Sequence, residues 1–266
     1  MEPLVPRLGP RSHPGDFFRG LMLPFRAIVL VRRSRRLFRL SAWASVVTFV
    51  ALVALVAVLW VYTDDLVRLF WAEPETWYGR IGFEAVVALS FLLLLVVGAN
   101  TVPLLLLAPL QDPLSEATEA ECGEYQPPPF SPRAFFRGAG VALWHNAARV
   151  AILLGGHAVL FLANFLPGVG AVVWTVVATL WTMGWLAAEY LDAPMARHLY
   201  SFREVRRAVM ARLWLCMGFG AAVYVMLWVP VLNFFFMPLA VVAGTLLFRA
   251  LRAAGNLPAP ELSRIG

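Results

Sequence analysis

The chain has 266 residues, of which 61% are hydrophobic and only 14% charged, and its formal net charge is +6. A soluble domain of this length carries about 25% charged residues, so a soluble enzyme is the first class excluded. All 22 basic residues are arginine, but a nucleic-acid binder would not combine that charge with so much apolar material, and no nucleic-acid partner is expected.

Residues 1–15 are rich in Pro and Arg and are expected to form a disordered tail. Asp16 is placed to cap a helix beginning at Phe17, on which Arg19, Arg26 and Arg33 recur every seven residues beside Phe18, Leu21, Met22 and Phe25. That pattern predicts an interfacial helix, bent near Pro24, with its guanidinium groups at lipid phosphate level. Residues 41–62 contain no charge and are long enough, at 1.5 Å per residue, to span about 30 Å of hydrocarbon. Trp43 at one end and Trp60 with Tyr62 at the other fit the aromatic belts. A polar connection over 63–83 holds Asp64, Asp65, Glu73 and Glu75. The second apolar run, 85–110, is interrupted by Gly98, Asn100 and Pro103, and a kink is expected at Pro103. Asp112-Pro113 then reads as a fresh helix start, a capping carboxylate followed by Pro at the first helical position, with Glu116, Glu119 and Glu121 decorating a short acidic helix. The stretch QPPPF breaks the chain, and Ser131-Pro132 repeats the start signal before an amphipathic segment carrying Arg133 and Arg137.

Two apolar hairpins follow. Residues 150–166 and 171–188 flank the turn FLPGVG, and residues 213–229 and 234–248 flank VPVLNFFFMP. The arms are slightly short of a bilayer and neither turn carries a charge. Deep penetration without crossing, the turns sheltered by protein contacts, is therefore preferred; six full spans are the alternative. Between the hairpins, Ser201 and Glu204 form a capping box that starts a helix at Phe202, with Arg203, Arg206 and Arg207 as a basic face for solvent, lipid headgroups or an anion. The expected fold class is thus an all-α integral membrane protein: two long transmembrane helices, two Pro-turn helical hairpins that half-span or fully span the bilayer, and amphipathic interfacial helices. Residues 16–250 form a single membrane domain, and 251–266 a C-terminal tail. Twenty of the 22 arginines lie in 1–40, 111–149, 189–212 and 249–266, and two, Arg68 and Arg80, in the 63–83 connection. If both long helices cross, the four Arg-rich segments share one side, and the positive-inside rule places both termini in the cytoplasm.

Candidates for chemistry are few. Cys122 and Cys216 are far apart, and there is no CxxC, HExxH or nucleotide-binding loop, so neither a metal nor any other cofactor is expected. No local Ser-His-Asp signature supports catalysis either. His157 is an ionisable group inside an apolar arm, a functional candidate by default, although a lone His with no acid nearby is more often structural. Asn100, Asn164 and Asn233 read as bonds across helices, and Glu189 with Asp192 as helix-end or ion-pair partners of neighbouring arginines.

Four stretches together resemble the CysZ family of bacterial sulfate permeases, which belongs with the eukaryotic etoposide-induced membrane proteins. LLAPLQDPLSEATE (106–119) follows the second span as the family's Ala-Pro pattern does, and FLPGVG (165–170) matches its Pro-Gly hairpin turn. Tyr190, Asp192, Pro194, His198, Phe202 and Arg206 reproduce the spacing of its Y-x-D-x-P-x-x-x-H-x-x-x-F-x-x-x-R segment, and VPVLNFFFMPLAV (229–241) matches its second hairpin. The resemblance covers about residues 17–250. It implies a homo-oligomer in the bacterial inner membrane that passes sulfate inward for cysteine synthesis. The family's Pro-Gly-apolar-Arg-Arg element is associated with sulfate; here the corresponding stretch is Arg32-Arg33-Ser34-Arg35-Arg36, without Pro-Gly, and Arg35 and Arg36 best match the arginine pair. The same resemblance makes Pro167, Gly168, Gly170, Pro230, Asn233 and Pro238, at the hairpin turns, candidates for the conduit. The alternative class is a non-transporting scaffold or lipid-interacting protein of the cell envelope.

Overall fold

A proline decides where the first amphipathic stretch breaks. The computed structural model describes residues 4–9, 11–72, 74–123, 151–165, 168–198, 200–228 and 230–257, without the side chains of 100–109, 202 and 230–234. In it α1 (Asp16–Leu21) and α2 (Leu23–Arg33) meet at Met22, with Pro24 in the first turn of α2, where an N–H has no intrahelical partner to lose. The single helix expected from Phe17 is therefore two. Asp16 is the first residue of α1 rather than its cap, and its carboxylate instead accepts from the His13 N–H at 3.1 Å and the Arg19 guanidinium at 2.9 Å. Phe18, Met22, Phe25 and Val29 are exposed while Leu23, Ala27, Leu30 and Val31 are buried, the two-faced arrangement a helix between protein and lipid needs. Residues 4–9 and 11–15, expected as a disordered tail, lie against this bundle: Leu4, Val5 and Leu8 pack on the core, and the Leu4 carbonyl accepts from Arg26 at 3.3 Å.

Ser34 separates α2 from α3 (Arg35–Phe70). Its hydroxyl accepts from the Leu37 N–H, capping α3, and donates to Glu121 at the far end of α4 (Trp77–Glu121), so α3 and α4 form an antiparallel hairpin. Their 36 and 45 residues amount to about 54 and 68 Å of helix, against about 30 Å of hydrocarbon. Both exceed the predicted apolar runs. The polar connection expected over 63–83 shrinks to the residues between Phe70 and Trp77, because 63–70 completes α3, with Arg68 paired to Asp64 one turn back at 2.8 Å. The helix start expected at Asp112-Pro113 is overturned as well. α4 runs on through Pro103, Pro109 and Pro113, as membrane-protein helices can where neighbouring groups re-satisfy the freed backbone. The acidic segment is the end of α4, not a separate helix.

α5 (Ala151–Phe165), ending in a 3-10 turn at Leu162–Phe165, and α6 (Gly170–Arg197) make the first hairpin. Gly168 adopts φ +80°, a left-handed conformation with little cost only for glycine. The turn therefore falls where FLPGVG predicts it, but its apolar tip is not sheltered as expected: Phe165 and Val169 are 76% and 59% exposed. α7 (Phe202–Ala211) opens with the predicted Ser201–Glu204 capping box and bends by 101° at Arg212 into α8 (Leu213–Leu227). α9 (Pro230–Ala253) begins at Pro230, so most of the expected turn VPVLNFFFMP is helical, with Pro230 at the first position and Pro238 buried within the helix.

Among the described residues four single helices are long and apolar enough to cross a membrane: α3, Trp77–Ala99 of α4, α6 and Phe235–Ala253 of α9. Of the last, 72% is buried, against 6% for Trp77–Ala99. α9 is thus wrapped in protein, by α2, α3, α4, α6 and α8, while α3 and α4 offer long apolar flanks to lipid. Thr245 of α9 lies 2.9 Å from the buried Ser115 of α4, hydroxyl to hydroxyl. α8 reaches its neighbours through small residues, as membrane helices do: a Cβ on Gly218 would strike the Phe17 carbonyl of α1, and one on Gly220 the Met183 carbonyl of α6. Gly220→Val is accordingly expected to lift α6 off α8, read as loss of a monodisperse peak when the detergent-purified protein is chromatographed.

Candidate functional site

Charged helix ends gather at one end of the bundle. Ser34 before α3 touches Glu121 of α4, Glu119 of α4 binds Arg197 and His198 at the end of α6, and Arg212 before α8 binds Asn256 after α9. At the α2–α3 elbow, Ser34 is buried and the arginines on either side of it are not. Arg32, Arg33, Arg35, Arg36 and Arg39 are all exposed, and among the described residues none has a hydrogen-bond or ion-pair partner. Arg35 and Arg36 occupy the first turn of α3, where the helix dipole opposes a cation and backbone N–H groups lack intrahelical acceptors. An anion seated there relieves both conditions at once, through planar guanidinium forks and free N–H donors.

The residues singled out around the hairpin turns are less unified. Pro167 lies outside the described residues; Gly168 is exposed and Gly170 buried at the start of α6, where a Cβ would meet the Ala163 carbonyl. Pro230 opens α9, Pro238 is buried inside it, and the side chain of Asn233, like that of Asn100, is not described. Among the described residues no hydrogen bond or ion pair joins either turn to Arg35 or Arg36.

The spaced segment 190–206 divides into core and surface. Tyr190 is buried, edge-on to Phe219 of α8 at 6.2 Å, and Pro194 is buried within α6. Asp192 is half-buried, Arg206 is exposed on α7, and Phe202 begins that helix. His198 closes α6: its ring stacks on Phe248 of α9 at 5.2 Å, and its Nε2 lies 2.8 Å from Glu119 Oε2. Arg197 donates to the other oxygen of Glu119 at 2.9 Å and to the Asp112 carbonyl at 2.9 Å. Glu119 is 1% exposed, although sequence patterning placed it on a solvated acidic helix. The signal that locates it is its position one turn beyond Ser115, on a face that also holds Leu114 and Thr118, all buried.

His157 is satisfied within the first hairpin, with Nδ1 3.0 Å from the Leu153 carbonyl and Nε2 3.1 Å from the Thr182 hydroxyl of α6. Asn164 bonds the Phe161 carbonyl of its own turn, not another helix. Among the described residues no group of three or more His, Cys, Asp and Glu is arranged to hold a metal. A cavity of about 370 Å³ between α3 and α4 is lined by Trp60, Asp64, Phe83, Glu84 and other side chains, none of them basic, and does not suit an anion.

These features define an all-helical, multi-pass membrane protein with buried ion pairs and a dense set of open guanidinium groups at one end. The chain belongs to the family described as Sulfate transporter CysZ/Etoposide-induced protein 2.4, which it matches over residues 23–238. It is similar to a protein named Sulfate transporter CysZ from Pseudomonas syringae pv. tomato, 32% identical over 180 residues, 66% of this chain and 68% of the relative. One of the same name from Pseudomonas paraeruginosa is 31% identical over 140 residues, 52% of this chain. That match spans just over half, 56%, of the relative's length.

Proposed function

We propose that this protein is a permease that carries sulfate into a bacterial cell across the inner membrane, supplying cysteine synthesis. The observation that carries the reading is the elbow of five exposed arginines around the buried Ser34, none of them with a partner among the described residues. Sulfate needs several donors converging on its oxygens; Arg35 and Arg36 supply them at the mouth, and the turns around Pro167 and Pro230 line the path. The relatives named as sulfate transporters support the substrate. Both termini are cytoplasmic, because the arginine-rich ends collect on one side. The chain works as a homo-oligomer, in which the exposed apolar flanks of α3 and α4 meet lipid or a second copy.

Proteoliposomes loaded with the purified protein are expected to take up labelled sulfate faster than empty vesicles. Arg35→Ala/Arg36→Ala should lower that uptake at least about tenfold, the loss of one to two charge-assisted contacts. Uptake no faster than in empty vesicles overturns transport, and equal uptake by both proteins removes the site alone. The first result would leave the second reading, a lipid-interacting scaffold, which is favoured by one observation: Arg203, Arg206 and Arg207 are exposed on α7 beside the exposed Met210, Leu213 and Trp214, as on a helix lying in the interface.

A further inference from the structure

A second cluster of cationic donors lies on a part of the chain that the family match does not reach. Gly9, residues 11–15 and α1 border a cavity of about 280 Å³ lined by Gly9, Arg11, His13, Gly15, Asp16 and Arg19. The loop is held from beneath. Arg212, itself 1% exposed, donates to the carbonyls of Gly9 and Arg11 and to the side chain of Asn256, at 2.5, 2.9 and 2.9 Å. Those contacts occupy the carbonyls of Gly9 and Arg11, and the backbone N–H groups of Asp16 and Phe17 occupy those of His13 and Pro14. Asp16, the one acid of the cavity, is consumed too: it accepts from Arg19 at 2.9 Å and from the His13 N–H at 3.1 Å, and Arg212 lies 3.6 Å away.

What remains open is a set of donors. The Arg11 side chain is exposed and has no partner among the described residues. Arg19 uses one of its terminal nitrogens on Asp16 and retains further N–H groups of its fork. His13 accepts the Gly15 N–H on Nδ1 at 3.0 Å, so in the neutral ring the proton sits on Nε2, a donor. Arg11, Arg19 and Arg212 against the single carboxylate of Asp16 leave two positive charges in excess. A concave site whose one carboxylate is already paired and whose cationic donors are left over is electrostatically incomplete without an anion.

We infer that the Arg11–His13–Arg19 cavity binds a tetrahedral oxyanion, sulfate or phosphate, either free or as the phosphate of an anionic lipid headgroup. It is a separate site from the one at Arg35 and Arg36, with the 11 residues of α2, about 16 Å of helix, between them. It holds whether or not the protein transports sulfate.

The test uses the full chain in detergent and in nanodiscs, with Arg11→Gln/His13→Asn as the variant. The Arg11 side chain has no partner among the described residues, and Asn offers an oxygen for the Gly15 N–H, so the turn is retained, while its shorter amide N–H₂ does not reach where the far edge of the ring carries Nε2. Calorimetric titration with sodium sulfate and with sodium phosphate, against a sodium chloride blank, reads the free anion. Thermal stability in phosphatidylglycerol against phosphatidylcholine nanodiscs reads the headgroup. A free ligand predicts binding to wild type and to Arg35→Ala/Arg36→Ala, weakened about tenfold in the Arg11/His13 variant. A headgroup predicts instead that phosphatidylglycerol raises the melting temperature of wild type and not of that variant. His13→Asn alone should give a partial loss of the same effect, which covers the case in which the double variant fails to fold. Identical titrations and identical lipid responses for wild type and variants overturn the proposal.

Discussion

Replacing Glu119 by alanine is expected to destabilise the protein by about 3–5 kcal/mol, the range for removing one partner of a buried ion pair. The carboxylate is 1% exposed, and the side chains of Arg197 and His198, which share its two oxygens, are each 12% exposed, so solvent does little to screen the pair. Removal leaves Arg197 with Asp112, its carbonyl at 2.9 Å and its carboxylate at 3.8 Å, in place of a fully buried acid, takes the oxygen from His198 Nε2, and loosens the end of α6 from α4. Glu119→Gln should cost less, since it keeps one acceptor oxygen and offers an N–H₂ that a neutral His198 can accept on Nε2. Adding Arg197→Ala to Glu119→Ala should recover part of the loss, because the charge that has lost its buried acid goes with it. Melting curves of the detergent-purified variants measure this order; by the scaling of soluble domains of this size, the alanine variant falls by roughly 10 °C. Equal curves for wild type and Glu119→Ala would show that the cluster is not what fastens α4 to α6.

How much of this is legible in the sequence depends on whether a feature is local. The uncharged run 41–62, the FLPGVG turn and the Ser201–Glu204 box each carry their meaning within a few residues, and the structure has a long helix, a glycine-bearing turn and a capped helix at those places. The arginines around Ser34 are also legible, because a run of guanidinium groups reads as exposed and is exposed. Helix ends are read less well. Asp112-Pro113 is a start signal in water, but in α4 the helix arrives already formed, and packing on α9 carries it past the prolines. The buried charges are not legible at all. Asp16, Glu119 and Arg212 belong to residue types almost never fully buried unless paired; Asp16 bonds its near neighbours His13 and Arg19, but the partners of the other two are remote, 78 residues from Glu119 to Arg197 and 203 from Arg212 to Gly9. Only the folded chain shows those pairs.

Arg212→Lys, a substitution that keeps the charge, is expected to behave almost as badly as Arg212→Ala. Arg212 stands at the corner where α7 turns by 101° into α8, and its planar fork serves three separate segments: the loop before α1, Asp16 itself, and Asn256 behind α9. A lysine ammonium is a compact point charge with three donors on a flexible stem and cannot reproduce that spread. In the alanine variant Asp16, 2% exposed, loses the charge behind it; in the lysine variant the charge stays and the fork goes, and in both the carbonyls of Gly9 and Arg11 lose the pair of terminal nitrogens that now serves them. For the alanine variant the cost is again about 3–5 kcal/mol by the buried-pair range, and in both variants the first visible consequence is local, in the loop whose carbonyls the fork holds and which opens at a lower free energy than the core. Trypsin should therefore cut after Arg7 and Arg11 at least about tenfold faster in Arg212→Lys than in wild type, the ratio for a loss of 1.4 kcal/mol in local opening. Cleavage within α7, which the capping box holds independently, should change far less. If the lysine variant resists trypsin as wild type does, the loop is fastened by Leu4, Val5 and Leu8 on the core rather than by the buried guanidinium. The oxyanion cavity would then rest on apolar contacts and should survive the loss of Arg212.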